Sequence, residues 1–508
     1  MSKLKIGWAS RDVSTSEPLN LPGQFYMRIS KGVMDPVTVT AMAVENGTEQ
    51  AIFVSGDMID CRHGLLDEVR SLVGEKLPDV DPLKILMAVT HTHTGPSHLN
   101  GLGAISIPAD EPFDHEGVEI GSSEAYRHFL AASISDAVCE AWEKREDGGI
   151  AYGYGFAVVG FNRRVAYFDD LSLRPDAANN STHGVNGHVK MYGNTADPQF
   201  SHYEGGMDPF VNLMFTFDEK DELTGAMINV PCPSQNSETE RYVSADYWHD
   251  VRLAIREKYG DIFILPQCAA AGDLSPRQLH YKKAQERRFR LKYGEIDTAA
   301  EKKLMMANRK DIAERIASAF DEVYGWAKKE ILREVPLSHL VKTVELPKRL
   351  ISEEARLAAE QGYAAECSAA FSFEGTPEEN LKHNSSVMSR RGRYRKILEK
   401  YRSQQEEKTV PMELHAVRLG EIAFCSNQFE LFLDFQHRIQ ARSPFLQTFV
   451  VQLAAQPHRD NATYLPTQRA VEGRGFGASI YDNVVTPEAG QLLVEETLRA
   501  LESLIPEE

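Results

Sequence analysis

The sequence predicts an α/β (mixed α+β) protein, with mixed sheets wrapped by helices. Three observations lead there. Apolar runs of strand length recur from residue 37 to about 266, segments with apolar residues at helical spacing lie between them, and two long charged helical blocks follow before strand-like runs return near the C-terminus. The chain has 508 residues, 42% hydrophobic and 26% charged, which is ordinary for a folded globular protein.

In chain order, strands are expected at 37–44, 50–56, 83–89, 150–159, 212–217, 225–230 and 261–266. Helices at 65–77 and 122–144 lie among them. The stretch 169–200 is rich in Asn, Gly, Asp and His and reads as a long ordered loop. Residues 285–293 and 299–331 should be exposed helices, and a strand near 340–346 precedes a second helical block at 352–408. These blocks (about 281–332 and 352–408) read as solvated faces over the core, or as lids over its entrance. Strands at 413–419, 422–426 and 448–454 and helices at 429–440 and 487–504 complete a single unit spanning 1–508.

The formal net charge of -18 argues against nucleic acid and against an anionic membrane surface. No run of eighteen apolar residues suggests a transmembrane helix, and the N-terminus shows no apolar signal core. The six cysteines (Cys61, Cys139, Cys232, Cys268, Cys367, Cys425) have neither disulfide nor zinc-ribbon spacing. A cytoplasmic protein acting on a small molecule is expected, with a homo-oligomer left open.

The chemistry concentrates where strands end. The apolar run Ile85 to Val89 leads into Thr90-His91-Thr92-His93-Thr94-Gly95-Pro96. In a strand, His91 and His93 would share a face, suited to binding a metal or to binding one and moving protons. Alone, such a pair reads equally well as two surface histidines. In Gln267–Arg277, small residues after a strand allow close backbone approach, and Ser275 before Pro276 is a candidate nucleophile or substrate ligand, or else a helix cap. Arg163, after the strand ending at Val159, could clamp an oxyanion, or form a surface ion pair. Cys232 stands between Pro231 and Pro233, a candidate thiolate ligand or nucleophile, or a small buried hydrophobe. Glu430, at the start of a helix in apolar surroundings, suits a metal carboxylate, and Tyr464 a metal ligand or oxyanion donor. Asp57 and Asp60 could brace such ligands from behind.

Taken together, these motifs resemble a known family. Thr90–Pro96 looks like the H-T-H-S-G-P motif of the neutral/alkaline (non-lysosomal) ceramidases. Asn162-Arg163 resembles their N-R-S motif, Gly272–Pro276 their G-D/N-x-S-P-N segment, and Val243–Asp246 their I/V-S-x-D stretch. Glu430 and Tyr464 resemble their zinc glutamate and tyrosine, and the order of motifs is kept from about residue 5 to 480. The resemblance implies a neutral-ceramidase-like catalytic domain carrying Zn2+, an amidase of α/β fold. Carried over, His91, Glu430 and Tyr464 would be metal ligands, and His93, Arg163, Ser275 and Tyr464 catalytic or substrate-binding. The family's second zinc histidine has no counterpart in 229–235. Cys232 is the nearest substitute, with His188 and His202 as alternatives. No immunoglobulin-like C-terminal domain is expected.

The expected function is zinc-dependent hydrolysis of an amide bond, with a link to lipid metabolism implied by the resemblance. A soluble acylated sugar or amino sugar is the alternative substrate, and a degenerate, non-catalytic binding protein the alternative class.

Overall fold

The computed structural model describes residues 3–104, 107, 113, 115–175, 177, 186–294, 301–457 and 463–506, with the backbone alone for 301–303. Alternation of side chains along pleated strands explains its layers. Strands β1 (Lys5–Asp12), β2 (Thr38–Glu45), β3 (Gln50–Gly56), β4 (Ile85–Val89) and the short β5 (Glu146–Asp147) form a sheet in the order β4-β3-β2-β1-β5. Along β2, Val39, Ala41 and Ala43 pack with helices α1 (Leu65–Lys76) and α2 (Ser123–Glu143), while Met42 and Val44 face the opposite way. Ser122 caps α2, its side chain accepting from the Ala125 amide at 3.1 Å.

That opposite face meets two further sheets. One is built from β6 (Gly149–Phe156), β11 (Phe210–Phe217), β12 (Leu223–Val230) and β13 (Phe263–Cys268), in the order β13-β12-β11-β6. The other contains β15 (Leu337–Pro347), β16 (Thr409–Leu419), β17 (Ile422–Ser426) and β19 (Gln447–Val451), in that order. Met42, Leu86, Met214, Met227, Ile422 and Phe424 meet in one central buried cluster. Helices cover the outer faces: α3 (Tyr247–Tyr259) and, beyond α4 (Lys282–Tyr293), α5 (Glu301–Ala327) on the second sheet. On the third lie α8 (Leu433–Arg442) and α10 (Pro487–Glu502), with α9 (Gln468–Gly473) between them in sequence. A two-sided core of this kind calls for near-continuous apolar strands, as in Ile85 to Val89.

The second charged block is two helices, α6 (Glu353–Cys367) and α7 (Pro377–Ser403), and α7 begins with a capping box between Thr376 and Glu379. Among the described residues, no helix is long and apolar enough to cross a membrane.

Several expectations are corrected. The stretch 169–200 is not one loop. Its described residues help build a small sheet of β8 (Arg164–Tyr167), β9 (Val189–Met191) and β10 (Phe200–Tyr203), while 176 and 178–185 lie outside the described residues. The first strand and helix α3 were not predicted: β1 ends in polar residues, and α3 carries only five buried residues among thirteen. The helix expected from 429 begins at Leu433, because Glu430–Leu431 (β18) pairs in parallel with Tyr464–Leu465 (β20). The two remaining short strands, β7 (Phe161–Asn162) and β14 (Leu274–Ser275), pair antiparallel.

Candidate active site

Three parallel pairs, β3/β4, β12/β13 and β17/β19, end on the same side of the molecule, and the polar motifs follow those ends. Cross-sheet bonds hold the ends together: Ala455 N donates to Met87 O at 2.8 Å, and Gln452 N to Cys268 O at 3.1 Å. Collecting ligand groups beyond the carboxyl ends of strands is a general property of such sheets. Here they enclose a cavity of about 1260 Å³.

His91 and His93 both line it, but not through strand alternation. Strand pairing ends at Val89, and His91 sits in the left-handed region with φ 61°. A non-glycine residue held there stores local strain that its surroundings must outweigh. The Ile59 carbonyl, 2.6 Å from His91 Nδ1, and the Arg28 guanidinium, 2.7 Å from the His93 carbonyl, hold the turn. Gly23, at φ 109°, packs so close that a Cβ there would lie 2.6 Å from His93 Nδ1.

The turn brings His91 Nε2 to 3.3 Å from His93 Nε2 and 3.5 Å from Glu430 Oε2. Glu430 reaches this point because Gly272 lets the backbones meet: a Cβ at Gly272 would stand 2.3 Å from the Glu430 carbonyl oxygen. Arg163 Nη2 lies 3.7 Å from Glu430 Oε2 and donates to Tyr464 Oη at 3.2 Å and to the Gly272 carbonyl at 2.9 Å. Thus His91, His93, Arg163, Glu430 and Tyr464, drawn from four distant segments, line one wall of the cavity.

Burial disfavours every charge here, and pairing decides the outcome. For His91 the Glu430 carboxylate outweighs burial and raises the imidazole above its ordinary range. For His93 burial wins over Glu238, and the ring is lowered toward the neutral form. Glu238, though buried, is held down to about 2 by His93 and Arg277. Burial, then Glu430, pushes the Tyr464 phenol well upward.

The structure separates other expected residues from this wall. Cys232 is the main correction. Its side chain lies in the hydrophobic cluster with Val159, Val230 and Trp248, its Sγ is 3.4 Å from the Val159 carbonyl, and it does not line the cavity. Burial raises its thiol well above the usual range, away from the thiolate a metal needs. Ser275 is fully buried and lies behind the cavity wall, its Oγ accepting from Tyr192 Oη at 3.2 Å. His188 bonds the Asp169 carbonyl and His202 the Ser201 hydroxyl, and neither lines the cavity. Asp57 is locked to Arg252 at 2.8 and 3.2 Å, whereas Asp60 lines the cavity 2.5 Å from Arg62.

Tyr192, Gln235, Glu238 and Arg277 also line the cavity; the sequence reading gave none of them a role, although Gln235 and Arg277 close two of its motifs. Glu238 stands 3.3 Å from His93 Nδ1 and 2.5 Å from Arg277 Nη2. Gln235 closes the 229–235 segment where the missing histidine was sought, and Glu238 follows it by three residues. That segment was the available signal.

The donor set bears on whether this wall suits a metal. The Ile59 carbonyl requires the proton on His91 Nδ1, so that in the neutral ring the Nε2 lone pair faces His93 and Glu430. Outer carbonyl and carboxylate partners of this type are what orient metal-ligating imidazoles. Ligands about 2.0–2.1 Å from a tetrahedral zinc stand roughly 3.4 Å apart, close to the separations seen around His91 Nε2. Among the described residues, no three His, Cys, Asp or Glu side chains gather around one common point; the contacts run pairwise through His91. Two such groups, His91 and Glu430, stand together, and the Tyr464 phenol lines the same wall beside Arg163.

No protein-family model and no curated protein sequence matches this chain. Solved structures do. Neutral ceramidase from Pseudomonas aeruginosa aligns with TM-score 0.65 and 15% identity, over 100% of this chain and 76% of that one. The fold is that of neutral ceramidase. A structure described as ceramidase complexed with C2 aligns with TM-score 0.62, also at 15% identity, over 100% and 76% of the two chains. The ceramidase-like fold agrees with the resemblance carried by the sequence motifs, here in a strongly diverged chain.

Proposed function

We propose that this chain is a zinc-dependent hydrolase of an amide (C–N) bond, acting as one catalytic unit. The observation that carries the reading is the convergence of His91, His93, Arg163, Glu430 and Tyr464 on one cavity of a neutral-ceramidase fold. His91, Glu430 and Tyr464 would hold the metal. Bound there, zinc supplies Lewis acidity toward water and toward a carbonyl.

The remaining work falls to the chain's own side chains. His93 is held toward its neutral form by burial and stands 3.3 Å from Glu238, so its Nε2 can take a proton from water and return it to the leaving amine. Arg163 is fixed by Gly272 and Tyr464, and its guanidinium faces the cavity to bind the carbonyl oxygen as negative charge develops. Ser275 positions Tyr192 rather than attacking.

A polar N-acyl compound suits this cavity better than long-chain ceramide. Arg62, Asp60, Asp67, Arg277 and Lys400 share its lining, and each would have to be desolvated against an alkyl chain. The six free cysteines fit a reducing, cytoplasmic setting.

The test is metal analysis together with hydrolysis assays on ceramide, N-acylated sugars and O-acylated sugars. Purified protein should carry about one zinc per chain. His91→Ala and Glu430→Gln should lose metal and activity together, while His93→Gln should keep the metal and lose roughly 10²–10⁴-fold in rate. Unchanged hydrolysis in His91→Ala would refute the reading. Metal loss in His93→Gln would make His93 a ligand instead.

A further inference from the structure

The far lobe of the same cavity, beneath helix α7, is built differently. Lys348, Arg393, Lys396 and Lys400 line it, against Glu407 and Asp482. Helix α7 holds eight Lys and Arg against three Glu, in a chain whose net charge is -18. Cations concentrated against the overall charge, on a cavity wall, need an explanation.

Most of these charges are committed. Lys348 Nζ is 3.0 Å from Glu407 and 2.9 Å from Ser403 Oγ. Asp482 accepts from Gly477 N at 3.1 Å and Ser479 Oγ at 2.5 Å. Lys400 Nζ donates to the Ile480 and Asn483 carbonyls at 2.9 and 3.0 Å, which leaves one proton over. Behind it, Arg349 donates to the Ala478 carbonyl and to Asn483.

Arg393 is the exception. Its guanidinium carbon stacks 3.9 Å from the Tyr481 ring centroid, yet Nε, Nη1 and Nη2 are all buried without a hydrogen-bond partner among the described residues. A buried cation with its whole donor fork unmet is rare and costly. A fork of this geometry matches the oxygens of a phosphate-type anion two at a time. Burial, reinforced by Lys396, Arg349 and Lys348, also lowers Lys400 to about 7 despite Asp482, and an added anion would reverse that.

We propose that Arg393 and Lys400 form a binding site for a phosphate-like dianion, a group carried by the substrate. A guanidinium fork beside an ammonium favours a dianion over a single carboxylate. The lobe adjoins the catalytic wall through the Tyr464 amide, which donates to the Asp482 carbonyl at 3.1 Å. Assigning the anion to a substrate rests on the proposed hydrolysis. The site itself does not, and its test needs no turnover.

The experiment is calorimetric titration of the full-length protein with inorganic phosphate and, separately, acetate, at pH 7 and low salt. Wild type should bind phosphate at least about tenfold more tightly than acetate. Arg393→Gln and Lys400→Met should each weaken phosphate by about tenfold or more, the range expected for charge-assisted donors. Arg390→Gln removes the same charge from the same helix, but Arg390 pairs with Glu366 and is not part of the lining, so affinity should stay within about twofold. Should Arg393→Gln fail to fold, wild type and Lys400→Met still decide. No phosphate binding by wild type, equal acetate binding, or equal losses in Arg390→Gln would overturn the site. Loss of amide hydrolysis with phosphate binding intact would overturn only its link to a substrate.

Discussion

Helices α5 and α7 are each 27 residues long and belong to the two charged blocks, yet they serve opposite ends. Helix α5 balances five basic residues against five acidic ones. It buries Ile312, Ile316, Phe320 and Val323, at steps of four, four and three residues, against the second sheet. Its buried cation is fully paired: Arg309 donates to Asp250 at 2.8 Å and to Asp35 at 3.0 Å, with Ser244 Oγ at 3.2 Å. Helix α7 lacks such a stripe, buries Asn384, Ser385 and Ser389, and leaves the Arg393 guanidinium on a cavity without a hydrogen-bond partner among the described residues. The same side chain is thus a structural clamp in one charged block and a proposed ligand group in the other. Partnering separates the two, not composition.

The comparison breaks if Arg309 turns out dispensable. Arg309→Met strands Asp35 and Asp250 and should cost about 3–5 kcal/mol, the range for breaking a buried pair from one side. Urea denaturation measures it, and a loss under about 1 kcal/mol would mean that α5 is not clamped this way.

A pH profile sharpens the contrast next. Lys400 falls from 10.5 in the open chain to about 7 when folded. Between these values the unfolded chain holds a proton that the folded chain has released, so stability should rise with pH across this window. The cost of burying the charge is fully present below pH 7. At about 1.4 kcal/mol per unit, the rise amounts to at most about 5 kcal/mol. Lys400→Met should flatten it, and saturating phosphate should reduce it in wild type. A profile identical in wild type and Lys400→Met would remove Lys400 from the account.

The smallest effect is expected at Arg393 itself. Arg393→Met removes an unmet buried cation and keeps much of the side-chain volume over Tyr481, so stability should change by less than about 1 kcal/mol, in either direction. A loss like that of Arg309→Met would make Arg393 a structural residue.

Much of the candidate site was legible in the chain. His91, His93, Arg163, Glu430 and Tyr464 stand within four residues of a strand end, and an apolar run followed by polar and turn residues is a local signal. Gly272 could be read as a point of close approach for the same reason. The direction of Cys232 could not. Two prolines constrain its backbone, but Val159 and Trp248, packed against it from other elements, turn its sulfur inward.

What the sequence determined by itself was the type and order of most elements and the residues clustered at strand ends, because hydrophobic period and turn chemistry act over a few neighbouring residues. The tertiary structure alone decided which side chains share a void. Tyr192 meets Ser275 across 83 residues, and Arg393 on α7 meets Tyr481 in the turn that precedes α10. It also decided that one arginine hydrogen-bonds its carboxylates while the other, with Asp482 nearby, has no hydrogen-bond partner among the described residues. Such partners are chosen by packing between distant segments, where no local pattern records the choice.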